Sequence, residues 1–501
     1  MNKGGIFMND KLYVSTRGEQ APLNFYESIL QGIGNDGGLL VPNFELDKKD
    51  LIALKELSYV DMATEIISTF VPDNAKEDIR GLCQSAYASC LFPKSVVPVE
   101  KAGDVYIAEL FQGPTSAFKD MALSLLPYFM TYSLKQKGED RQVMILAATS
   151  GDTGKAALEG FKDVEGTCIK VFYPDEGVSA VQKQQMVTTL GQNVEVIGIK
   201  GNFDDAQSAV KKAFNSKELK ALCDENHVFL SSANSINIGR LIPQIVYYFY
   251  SYMTLVNNKE INMGDEVNFT IPSGNFGNCL AGYLAKNMGL PIKKFIVASN
   301  KNNILTDFFN TGTYDANREF FKTNAPAMDI LVSSNLERLV YFLVKDATKV
   351  KAYYDALATT GVYKIDEADL EELKKEFFAN WIDEETVIKT VGECYKETGY
   401  VLDTHTAVGY GVYKHYIEKT NDDTKTIILS TASPYKFPQN VYKAITGEVL
   451  DEYEAIDALY NKTNVEIPYP LKGIQDRVVR FEEVIDKTDI IDFIGQKIKE
   501  A

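Results

Sequence analysis

Histidine, cysteine and tryptophan are scarce in this 501-residue chain, with 3, 6 and 1 copies respectively. His227, His405 and His415 stand far apart, and the cysteines (Cys83, Cys90, Cys168, Cys223, Cys279, Cys394) include no CxxC pair. With no HExxH and no Cys/His cluster, no metal site is expected. Thiols scattered through a chain this long read as reduced and mostly buried. Cations are the minority charge: Lys+Arg 52 against Asp+Glu 69 gives a net −17. Such a surface repels phosphate backbones and anionic lipid, which argues against nucleic-acid and membrane-surface roles. An anionic small ligand is still allowed, provided its site gathers its own cations and amide donors. Long apolar runs are also missing. The most apolar stretch, Leu241–Val256, is broken by Pro243 and Gln244 and is too short to span a bilayer. Residues 1–10 lack the apolar centre of a secretion signal. A soluble cytoplasmic protein is the expectation, with Met1 and Met8 both open as translation starts.

What is present is ample core material: 45% hydrophobic residues, among them 27 Phe and 28 Tyr. At about 150 residues per domain, the length suggests two to four domains. Short apolar runs alternate with helical patterns, the signature of an α/β protein with largely parallel sheets. Strands are expected at 143–147, 168–173, 194–199, 267–271, 295–298 and 426–429, most of them followed by a Gly-, Ser- or Asp-containing turn and a helix. Such turns gather free backbone N–H groups and the positive end of a helix dipole. Residues 1–95 read as a separate, mainly helical domain. Residues 139–234 read as a small α/β lobe, and residues 96–138 with 235–501 as a larger one carrying a helical insertion around 306–389.

Five segments could carry chemistry. Lys119, in Phe118-Lys119-Asp120, opens an apolar helix, where a cation is electrostatically disfavoured. Such a lysine has its pKa lowered and serves as an amine nucleophile, or it simply snorkels into solvent. Thr149-Ser150-Gly151-Asp152-Thr153-Gly154 follows a strand and opens a helix. It reads as a carboxylate or phosphate nest, and equally as a capped helix start; it lacks the P-loop spacing. Ser273-Gly274-Asn275-Phe276-Gly277-Asn278 occupies a similar turn, as a phosphate cradle or a plain tight turn. Ser235, Asn237 and Arg240 could form a further oxyanion pocket, with Arg240 otherwise a surface ion-pair partner. Thr431 and Ser433, after the last strand, offer hydroxyls to a buried heteroatom or form a turn. Gly201-Asn202-Phe203-Asp204 reads as capping only, and His405 as structural more readily than catalytic.

Together these segments supply a nucleophilic lysine, two anion cradles, an arginine pocket and a strand-end hydroxyl. In them the sequence resembles the threonine synthases, in the long form found in fungi and enteric bacteria. The resemblance runs from Tyr13-Val14-Ser15-Thr16-Arg17-Gly18 and Asn35-Asp36-Gly37-Gly38-Leu39, through the segments above, to His405-Thr406-Ala407-Val408-Gly409 and Thr431-Ala432-Ser433-Pro434. It implies a fold-type II (tryptophan synthase β-like) pyridoxal 5′-phosphate enzyme with two parallel-sheet lobes. The activity implied is that of a carbon–oxygen lyase converting O-phospho-L-homoserine and water to L-threonine and phosphate. By resemblance, Lys119 anchors the cofactor and shuttles protons, and Ser273 with Gly274–Asn278 holds the cofactor phosphate. Asp152 lies near the cofactor's 3′ oxygen, where relatives commonly carry asparagine, and Thr431 faces the pyridine nitrogen. Thr149, Ser150 and Thr153 take the substrate carboxylate, and Ser235, Asn237 and Arg240 its phosphate. Ser433 stands where the family usually has histidine. A monomer or weak homo-oligomer is expected. The competing readings are another fold-type II phospho-lyase or dehydratase, and a noncatalytic metabolite-binding relative.

Overall fold

The computed structural model describes residues 11–149, 151–176 and 178–500; the two candidate start methionines and Ser150 lie outside them. Two parallel-stranded sheets organise the chain. The larger has six strands in the order Phe377–Trp381, Ile292–Ser299, Val267–Pro272, Thr426–Ser430, Val105–Glu109 and Val99–Ala102. All its pairings are parallel except the last, a hairpin at the edge. The smaller has five parallel strands in the order Val484–Asp486, Val194–Lys200, Thr167–Pro174, Gln142–Ala148 and Val228–Ser231. The six strands read from the sequence are all present, each extended by one or a few residues. Strands buried on both faces read as short continuous apolar runs, and Val267–Pro272 is buried at every position. The short or partly exposed strands carried no such signal.

Residues 484–500, expected with the large lobe, instead return to the small one. Val484–Asp486 pairs with Gly198–Lys200, and helix Ile490–Glu500 buries Ile490, Ile494 and Ile498 in the small lobe's cluster. The stretch around 306–389 is more than helical. It contains the antiparallel strand pair Thr313–Asp315 and Val362–Lys364, and its last strand, Phe377–Trp381, edges the large sheet. At the N-terminus, Tyr13–Ser15 and Leu40–Pro42 form an antiparallel pair beside helices Phe25–Gln31, Tyr59–Ile67 and Lys76–Ala86. Their side chains share one apolar cluster with the long buried helix Ile238–Asn257. Tyr59 stacks edge-on against Tyr250 with centroids 5.2 Å apart, and Phe25 against Phe129 at 5.6 Å. None of the described helices is long and apolar enough to cross a membrane.

Candidate active site

Topology decides where the loops converge. In the small sheet the chain runs outward from Gln142–Ala148 through the next two strands, then returns to place Val228–Ser231 on its other side. A crevice opens at such a reversal, beyond the carboxyl ends of the strands. The loops that follow these two strands are 149–154 and 232–237. In the large sheet, Val105–Glu109, Thr426–Ser430 and Val267–Pro272 point the same way, so the segments holding Lys119, Thr431 and Ser273–Asn278 leave one edge. Main-chain bonds zip two of these segments together: the Phe118 N–H donates to the Thr431 carbonyl at 2.8 Å and the Ser433 N–H to the Ser116 carbonyl at 3.0 Å.

Lys119 sits at the start of helix Asp120–Leu123, as the sequence implied, with its side chain 11% exposed. Its Nζ lies 3.6 Å from Asp152 Oδ2. Burial lowers its basicity; Asp152 opposes that, while Arg240 and Lys436 add to it. The snorkelling alternative therefore does not describe it. Asp152 also meets Lys436 Nζ at 2.9 Å and accepts from Gln182 Nε2 at 2.8 Å. Burial alone would raise its pKa, but the charges of Lys436 and Lys119 outweigh that and hold the carboxyl well below its ordinary range. Beneath the loop, Asp120 accepts from the Thr115 N–H and hydroxyl at 2.8 and 2.6 Å, and burial pushes its pKa up to about 7.

The two glycine-containing turns differ in the amides they leave open. Gly151 has φ +146°, and a Cβ there would fall 2.6 Å from the Gln182 side chain. Thr149 Oγ1 accepts from the N–H groups of Gly151 and Gly154 at 3.0 and 2.9 Å, fixing the turn from inside. Helix Asp152–Phe161 then begins with no side-chain cap, and Thr153 stays half-buried at its first turn. In the other turn Phe276 holds φ +64°, costly for an aromatic residue. Its ring packs among Phe309 and Phe377, which outweighs that cost. Asn278 staples the loop, accepting from Ser273 Oγ at 2.7 Å and donating to the Pro272 carbonyl at 2.9 Å. Gly274 passes so close to Ala327 and Met328 that a Cβ would be 3.0 Å from the Ala327 carbonyl oxygen. Among the described residues, nothing accepts a hydrogen bond from the N–H groups of Gly274, Asn275, Phe276, Gly277 or Asn278.

Arg240 is 4% exposed, not a surface ion-pair residue. One guanidinium nitrogen donates to the Ala233 carbonyl at 2.7 Å, while its buried Nε has no partner among the described residues. Burial lowers its pKa to about 10. Asn237, by contrast, is already committed: it caps helix Ile238–Asn257 by accepting from the Gly239 N–H and donates to the Ile29 carbonyl, both at 2.9 Å. Ser235 Oγ lies 3.4 Å from Ser334 Oγ, and its carbonyl accepts from Asn335 Nδ2 at 3.2 Å. The Asn335 N–H in turn donates to the Asn275 carbonyl at 3.0 Å, tying the two loops together. Ser433 caps the turn at Pro434–Lys436, and Thr431 is 6% exposed. His405 is structural: its Nδ1 meets Asp403 at 3.0 Å and its Nε2 accepts from the Ala327 N–H at 3.1 Å. Asn202 and Asp205 form a capping box, as expected for that turn.

Gln182, Asn335 and the role of Lys436 were not found by reading the sequence. Lys436 carried a signal, a cation between Tyr435 and Phe437; the others sit in segments with no motif.

Three comparisons bear on this arrangement. A pyridoxal-phosphate dependent enzyme model matches residues 97–432, which contain Lys119, Asp152, Ser235–Arg240, Ser273–Asn278 and Thr431. The fold is that of a fold-type II pyridoxal-phosphate-dependent enzyme. Models described as threonine synthase N terminus and threonine synthase, C-terminal match residues 12–87 and 406–494. Threonine synthase from Pseudomonas aeruginosa is 37% identical over 444 residues, covering 87% of this chain and 91% of the relative. Human threonine synthase-like 1 is 37% identical over 443 residues, 85% of this chain but 59% of that longer relative. A PLP-bound threonine synthase structure from Brucella melitensis shares 35% identity and a TM-score of 0.86, covering 98% of this chain and 100% of its own. The chain belongs to the threonine synthase family.

Proposed function

We propose that this chain converts O-phospho-L-homoserine and water to L-threonine and phosphate, by β,γ-replacement. One observation carries the reading: a buried lysine of lowered basicity feels the charge of a buried arginine whose Nε has no partner among the described residues, and the turn at Gly274–Asn278 leaves its amides without acceptors. A ligand spanning them carries two anionic ends besides the cofactor's own phosphate. In this reading Lys119 anchors the cofactor covalently. The open amides of Gly274–Asn278, with Ser273 shaping their turn, would take its phosphate, and Asp152 and Thr431 would meet its 3′ oxygen and ring nitrogen. The residues fit that group, since the amides lack protein acceptors and a Cβ at Gly274 would press on Ala327. Thr149, Ser150 and Thr153 form the turn for the substrate carboxylate, and Ser235 and Arg240 receive the substrate phosphate. Asn237 contributes by shaping that loop, because its own amide is spent on Ile29 and Gly239.

The chemistry supplied by bound pyridoxal phosphate is electron withdrawal from the substrate's Cα. Lys119 would take the α-proton and later return one, and burial, by lowering its basicity, makes the neutral amine more accessible. Arg240 stabilises the phosphate as it leaves Cγ, in a pocket dry enough for the charge to act strongly. Six free thiols, five of them buried, support a cytoplasmic location. The net charge of −17 argues against nucleic acid as a partner. We take a monomer or weak homo-oligomer as the active unit.

The test is paired measurement of phosphate and threonine released from O-phospho-L-homoserine by the purified, cofactor-loaded protein. Equal amounts are expected. Phosphate accompanied by a 2-oxo acid would make the protein a phospho-lyase instead, and a Lys119→Ala protein that keeps full activity would remove the lysine from the reaction.

A further inference from the structure

A second lysine lies in the site with no part in the scheme above. Lys436 is 1% exposed, in the turn after strand Thr426–Ser430. Its ammonium meets Asp152 Oδ1 at 2.9 Å, and it also contacts Gln185 Oε1 and the Thr115 carbonyl. Asp152 Oδ2 faces Lys119 at 3.6 Å. One carboxylate, carried by the small lobe, is thus shared between two ammonium groups carried by the large lobe. The shorter contact is to Lys436.

We propose that Lys436 is a positioning residue: by serving as the principal counter-charge of Asp152, it keeps that carboxylate from holding a proton on Lys119. The inference rests on the reading of Lys119 as the cofactor's anchor. Without Lys436, the buried Asp152 would have Lys119 as its nearest cation, and a single carboxylate at that distance strongly favours the protonated amine. With Lys436 in place, the carboxylate is already neutralised and Lys119 gives up its proton more readily. The other charged groups around the trio are few. Arg240 disfavours a proton on Lys119. Asp120 and Lys155 feel the charge of Lys436, and Lys155 is itself paired with Glu159 at 2.5 Å. Gln182 and Gln185, both uncharged, fill the remaining side of the pair.

The experiment is a pH titration of the visible absorption band of the cofactor-loaded protein, which reports protonation at the Lys119 linkage without substrate. Lys436→Met, close to lysine in shape, should move the midpoint upward by about one to two pH units. Asp152→Asn should move it downward, because Lys436 is then uncompensated. The double variant should return to near the wild-type midpoint, a cancellation that loss of packing would not produce. If Lys436→Met does not yield folded protein, the Asp152→Asn and double variants decide the matter by the same cancellation. A Lys436→Met midpoint equal to the wild type, or a double variant displaced as far as Asp152→Asn, overturns the proposal. Failure of the underlying reading looks different: Lys119→Ala would then keep the wild-type band.

Discussion

Arg338 Nε donates to the carbonyl of Leu40 at 3.0 Å, joining a buried cation of the large lobe to the N-terminal strand pair. Its other nitrogens donate to Asn335 Oδ1 and to the Ile236 carbonyl. One side chain therefore braces the N-terminal strands, the loop before Arg240 and, through Asn335, the turn at Asn275. Glu337 beside it pairs with Arg17 at 3.0 Å and accepts from Thr16 at 2.6 Å, repeating the tie from the neighbouring position. The N-terminal region is thus tied to the loops of the site.

Replacing Arg338 by methionine should leave buried carbonyls without donors. At about 1–3 kcal/mol for each orphaned acceptor, a loss of roughly 3 kcal/mol or more in unfolding free energy is expected. Urea unfolding of both proteins measures it, and an unchanged midpoint would show that the bonds contribute little.

Arg240→Gln removes the pocket's cation but no internal ion pair. Charge-assisted hydrogen bonds contribute about 1.5–3 kcal/mol, so kcat/KM for the phosphorylated substrate should fall roughly 10- to 100-fold. Inhibition by inorganic phosphate should weaken in parallel. Stability should fall by no more than about 1–3 kcal/mol, the cost of leaving the Ala233 carbonyl without its donor, because relief from burying a guanidinium offsets part of it.

A methyl group at Gly151 meets two obstacles: φ +146° and the Gln182 side chain 2.6 Å away. Gly151→Ala should cost about 1–3 kcal/mol and displace the turn that opens helix Asp152–Phe161. A raised KM with Lys119 still holding cofactor is the expected kinetic result; wild-type KM would show that the turn does not contact substrate.

Asp120 couples stability to pH. Its folded pKa, raised by burial to about 7, exceeds the ordinary unfolded value near 3.9. Between those values the native state binds more protons than the unfolded chain, so the stabilisation is complete below about pH 4 and is lost as pH rises through about 7. From pH 5 to pH 8 the wild type should lose about 3 kcal/mol more than Asp120→Asn, by urea unfolding at both pH values. Parallel losses would mean that the Thr115 donors keep Asp120 ionised throughout.

By itself the sequence determined the parts whose chemistry is local. Buried parallel strands announce themselves as short apolar runs, because both faces must be dry. The turns at 149–154 and 273–278 announce themselves through glycines that the backbone geometry requires, and Lys119 through a charge in an unfavourable place. The order of these segments along the chain was enough to point to the family. Tertiary structure decided everything that depends on pairing across distance. Only the fold shows that Asn237 is spent on capping and on Ile29, and that Arg240 is buried with its Nε unpartnered among the described residues. Only the fold carries residues 484–500 back to the small sheet, or makes Phe377–Trp381 an edge strand of the large one. The sharing of Asp152 between Lys119 and Lys436 joins positions 119, 152 and 436, brought together by two sheets whose strand ends face a common crevice. A short-range pattern cannot encode such a contact, because its energy depends on the desolvation and charge that the packed lobes create.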